Sequence, residues 1–157
     1  MKKIKQLVQI SLLIIISLSI SNKTYAHCEI PCGIYEDTLR IELIKEHIVT
    51  IEKSMKMIIK LSNEDVPNYN QIVRWVNNKE DHANKLQEIV SQYFLHQRIK
   101  PTRIENDELY TKYIKQLSLL HELLVYSMKA KQTTDLIYIE KLNNSVSSFE
   151  MIYFHKH

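Results

Sequence analysis

Residues 27–35 read HCEIPCGIY, placing one imidazole and two thiols within six positions. His27 directly follows a Thr24-x-Ala26 ending, so cleavage after Ala26 would make it the first residue of the mature chain and free its α-amine. The amine and the Cys28 amide nitrogen on one metal then close a five-membered chelate ring. The Cys28 amide nitrogen and sulfur close a second, fused ring. The Cys32 thiolate can return through the turn at Ile30, Pro31 and Gly33 to a fourth planar position, and the His27 ring can reach an axial one. Two nitrogens and two thiolates in a plane suit Ni(II) or Cu(II) rather than tetrahedral zinc. Electron-rich donors of this kind stabilise a higher oxidation state, which makes one-electron chemistry attainable. The competing reading is a Cys28–Cys32 disulfide, common in exported chains but of low stabilising value in so small a loop.

The segment before the hook has the layout of an export signal. Lys2, Lys3 and Lys5 precede an apolar run from Leu12 to Ile20, and a polar stretch leads to Ala26. The run is short of the roughly 20 apolar residues of a spanning helix, so a cleaved signal or propeptide at 1–26 is expected over a membrane anchor. Removing it takes away four of the 21 basic residues and none of the 18 acidic, leaving 17 against 18. The mature domain, 27–157, is thus near neutral, with no charge signature of a nucleic-acid partner. The expected location is the periplasm or outside the cell, and the alternative is a cytoplasmic protein with a propeptide.

A chain of 157 residues with one Gly and three Pro has little of the punctuation that a many-turned β fold needs. Apolar residues recur at helical spacing in four stretches. The first, about 37–61, carries Ile44, Ile48, Ile51, Met55 and Ile58. The second, about 69–97, carries Ile72, Val76, Ala83, Leu86, Val90 and Phe94. The third, about 107–129, carries Leu109, Tyr113, Leu117, Leu120, Leu124 and Met128. The fourth, about 133–152, carries Leu136, Ile139, Leu142, Val146 and Phe149. The expected fold is all-α: an antiparallel four-helix bundle with an N-terminal metal-binding hook. Trp75 reads as core or interface. His47, His96 and His121 fall on separate helices without an evident ligand set, and His155 and His157 sit in what reads as a frayed tail.

The hook resembles that of the nickel-containing superoxide dismutases, whose pattern is His-Cys-x-x-Pro-Cys-Gly-x-Tyr after propeptide removal. The stretches TIEKSM, NYNQIVRWVNNKEDHANKLQEIVSQYF, QRIKP and LLHELLVYSMKAKQTTDL are similar to that family as well. The resemblance implies disproportionation of superoxide to dioxygen and hydrogen peroxide by Ni(III)/Ni(II) cycling at the processed N-terminus. It also implies one nickel ion per subunit, a homohexamer, a protease that removes the leader, and no stable membrane anchor thereafter. The implied ligands are His27, Cys28 and Cys32, with Pro31, expected cis, and Gly33 shaping the hook. Tyr35 and Tyr93 match tyrosines near the metal and the substrate channel. Glu42 matches a carboxylate that orients the axial imidazole, and His82 stands where relatives carry the arginine that pairs with that carboxylate.

A non-enzymatic reading also fits an exported helical bundle: a nickel carrier, or an interaction module closed by the disulfide.

Overall fold

The structure is a computed structural model that describes residues 36–105 and 107–154. It contains helices α1 (Asp37–Ser62), α2 (Tyr69–Glu88), α3 (Asp107–Gln132) and α4 (Ile137–Phe154). A π-helical segment, Ile89–Arg98, continues α2. Helix α1 packs most extensively on α2 and α3 on α4, while α2–α3 and α1–α4 contacts close the ring. This is the adjacency of an antiparallel four-helix bundle with short connections.

Local chemistry sets the helix boundaries. Asn68 accepts a hydrogen bond from the Gln71 backbone N–H at 3.2 Å and starts α2 just after Pro67. Thr133 Oγ1 accepts from the Asp135 N–H at 3.1 Å, and Asp135 Oδ1 accepts from the Ile137 N–H at 3.0 Å. These two side chains hold 133–136 as a turn. The last helix therefore begins at Ile137, not at the expected 133.

Core positions follow a three-four alternation. In α1 they are Ile41, Ile44, Ile48, Ile51, Met55 and Ile58, all buried. In α3 the buried set is Leu120, Leu123, Ser127 and Ala130. This corrects the two ends of the expected stripe, since Leu109 and Met128 are exposed, while Tyr113, Leu117 and Leu124 are half-buried against the core. Repeated steps of four drift about 40° around a helix each time, so such a stripe walks off the core. In α4, Leu136 is likewise exposed, lying outside the helix in the capped turn.

The two ends of the bundle are finished differently. Where α3 ends, Lys79 is buried, and its Nζ donates to the carbonyl oxygens of Lys131 at 2.7 Å and Thr133 at 3.0 Å. An ammonium there satisfies carbonyls that have no intrahelical partner and meets the negative end of the helix dipole. Where α1 begins, aromatic rings fill the core: Phe94 packs edge-on to Phe149 at 5.0 Å and to Tyr153 at 5.5 Å.

Candidate metal centre

The hook residues His27, Cys28, Pro31, Cys32, Gly33 and Tyr35 lie outside the described residues. The first described turn of the chain is organised around Asp37, two residues after Tyr35 in sequence. Asp37 Oδ1 accepts from Arg98 Nε at 2.9 Å and from the Tyr93 hydroxyl, and Oδ2 accepts from the Tyr153 hydroxyl at 2.6 Å. Arg98 Nη2 donates in turn to the Tyr93 hydroxyl oxygen at 3.0 Å. One carboxylate in the first turn of α1 thereby ties together α1, the π-helical segment and α4.

The π geometry makes this cluster possible. Its hydrogen bonds run from residue i to i−5, as in the Ile99 N–H to Phe94 carbonyl bond of 2.9 Å. Residues five apart therefore share a face, whereas on an α-helix they would be about 140° apart. Tyr93 and Arg98 are five apart. The guanidinium carbon of Arg98 lies 4.8 Å from the Tyr93 ring centroid, and that of Arg40 lies 5.1 Å away.

Ionisation follows from these contacts. Burial alone would raise the Asp37 pKa, but the Tyr153 and Tyr93 hydroxyls and the Arg98 guanidinium outweigh it and hold the carboxyl below its ordinary 3.8. Tyr153 and Tyr93 move the other way, first through burial and then through their bonds to the carboxylate, so both remain protonated donors.

The other expected site residues among those described, Glu42 and His82, do not converge. Glu42 is exposed and accepts from Lys45 Nζ at 2.9 Å, and Lys45 also reaches Glu150 of α4 at 2.9 Å. His82 faces His47, with Nδ1 to Nδ1 at 3.1 Å. The structure thus gives Glu42 a lysine partner and His82 a histidine partner, and does not pair Glu42 with His82. A cleft of about 280 Å³ runs between Tyr93 and His47, lined also by Arg40, Lys85, Glu88 and Gln92. Among the described residues, no three His, Cys, Asp or Glu side chains converge on one metal position.

Sequence reasoning missed Asp37, Arg98 and Tyr153 as a unit. Tyr153 did carry a signal, because Leu142, Val146, Phe149 and Tyr153 continue one three-four stripe. The stretch read as tail is helical through Phe154; His155 and His157 lie outside the described residues.

A protein-family model for nickel-containing superoxide dismutase matches residues 22–157. The chain belongs to that family. This nickel superoxide dismutase is therefore an oxidoreductase with superoxide as substrate and nickel as cofactor. Comparison with curated proteins finds no match, and comparison with solved structures finds none either. Among the described residues, no helix is long and apolar enough to cross a membrane.

Proposed function

We propose that the dismutase works through nickel held at an N-terminus made by cleavage after Ala26. The ligands are the His27 amine and imidazole, the Cys28 amide nitrogen and thiolate, and the Cys32 thiolate. The observation that carries this reading is the HCEIPCGIY motif at 27–35, directly after the leader-like segment, within a family match that spans 22–157. The donor set fits nickel by its chemistry, since thiolates and an ionised amide are strong planar donors. Nickel held by these residues would supply a Ni(III)/Ni(II) couple for one-electron chemistry on superoxide.

The protein's own residues do the rest. Pro31 and Gly33 turn the hook, and Tyr35 covers its open face, orders water there and protects the thiolates from peroxide. Asp37, locked by Tyr93, Arg98 and Tyr153, fixes the chain two residues beyond Tyr35 and so sets where the hook can lie. Tyr93 and Arg40 line the cleft, and the Arg40 guanidinium favours approach of an anion there. Glu42 orients the His27 imidazole, and His82 modulates that end of the site.

The leader 1–26 is read as an export signal removed by a protease, leaving a mature domain of 27–157 in the periplasm or outside the cell. A homohexamer would cover exposed apolar side chains such as Val49, Val66, Tyr69, Val73 and Met151.

Cys28→Ser or Cys32→Ser is the direct test. Each variant is expected to lose nickel and dismutase activity while its far-ultraviolet dichroism stays that of the parent. Turnover retained in either variant rules out the ligand assignment.

A further inference from the structure

His47 and His82 stand on the facing surfaces of α1 and α2, each next to a fully buried residue, Ile48 and Ala83. Their backbones are therefore set by the core. The rings meet nearly at right angles, 77° between planes, with centroids 5.0 Å apart and Nδ1 atoms 3.1 Å apart. Among the described residues, neither imidazole is hydrogen-bonded to a carboxylate, and each Nδ1 faces the other. We propose that these two nitrogens form a second, labile site for a divalent transition-metal ion, made from residues separate from the N-terminal hook.

The spacing suits this role. With metal–nitrogen bonds of about 2.05 Å, two ligands 3.1 Å apart subtend about 98° at the metal, between the about 90° of a cis square-planar or octahedral pair and the about 109° of a tetrahedral one. The cleft beside His47 gives access to solvent, and water can complete the coordination. Burial and the neighbouring His82 favour the neutral His47 ring, which keeps its lone pair available. Glu46 and Asp81 add negative charge near His47; Lys85, a cation that opposes them, is bound to Asp81 at 2.5 Å.

Without metal, one Nδ1 carries a proton and donates it to the other. Metal uptake requires the donor ring to take the tautomer protonated at Nε2, so the proton changes nitrogen and none need leave the pair.

Zn²⁺ is the probe, counted by equilibrium dialysis against the full nickel-loaded protein, with nickel measured in the same samples. The parent is expected to hold one zinc per chain beyond its nickel. His155→Ala/His157→Ala, which removes the tail histidines, should hold the same amount. His47→Ala and His47→Gln should each lose that zinc with unchanged helicity. Equal zinc in parent and both His47 variants overturns the proposal and leaves the pair as a hydrogen bond only. Loss of the zinc in the tail variant would overturn it too. The nickel count reports on the hook and can fail without altering the zinc comparison.

Discussion

One end of the bundle buries a lysine, the other half-buries an aspartate–arginine pair, and the two are used differently. Beside the end of α3, Lys79 gives its ammonium to two backbone carbonyls. Where α1 starts, Asp37 gives its carboxylate to three side chains carried by two other segments. The first arrangement finishes a helix and any long cation could supply it. The second fixes one point of the chain against two tyrosines and an arginine, two residues from the hook. Both arrangements hold the fold together; under our proposal only the Asp37 end also positions the chain beside the hook.

The largest expected effect lies beneath the positioning end. Phe94→Ala removes a fully buried ring that touches Tyr93, Phe149 and Tyr153. It should cost about 3–5 kcal/mol in chemical denaturation, and a cost under about 1 kcal/mol would show that this end is not closely packed.

Asp37→Asn follows. Weakening hydrogen bonds to a charged acceptor should cost about 1.5–3 kcal/mol, and displacement of the hook should lower activity per bound nickel by up to about a hundredfold. Lys79→Met sharpens the comparison: about 1–3 kcal/mol of stability is lost as two carbonyls lose their donor, while activity per nickel is unchanged. If the Asn variant kept full activity per nickel, or the Met variant lost it, the division between the ends would be broken.

Tyr153→Phe gives the smallest change, about 0.5–1.5 kcal/mol for one hydroxyl. Acid sharpens the same point. Because the folded Asp37 pKa lies below the ordinary 3.8, its contribution is present above that value and is lost as pH falls through the lower, folded pKa. The difference in stability between parent and Asp37→Asn should therefore shrink as pH drops below about 3.8, measured by denaturation at each pH.

The four helices were legible because period and punctuation agreed, as at Pro67, where a helix cannot continue, whereas the Asn68 cap shows only in the structure. The α3 register was less legible: Ser127 and Ala130 are core positions without a hydrophobic signature, and Leu124 and Met128 drew the stripe toward the surface. The hook motif rests on local residue spacing and on its resemblance to the family pattern, and it lies outside the described residues. The Asp37 cluster was not legible, since its partners lie 56, 61 and 116 residues away. Tyr93 and Arg98 share a face only through the π-helical turn, which the apolar pattern does not announce. The His47–His82 pair was missed in the same way: partners were sought along each helix, and this one lies across the interface.

Native mass spectrometry of the purified, active enzyme tests the central claim most directly. The expected species is a chain beginning at His27, with one nickel bound per chain and no bond between Cys28 and Cys32. An active enzyme whose chain begins at any other residue, or whose two sulfurs are joined, would contradict it.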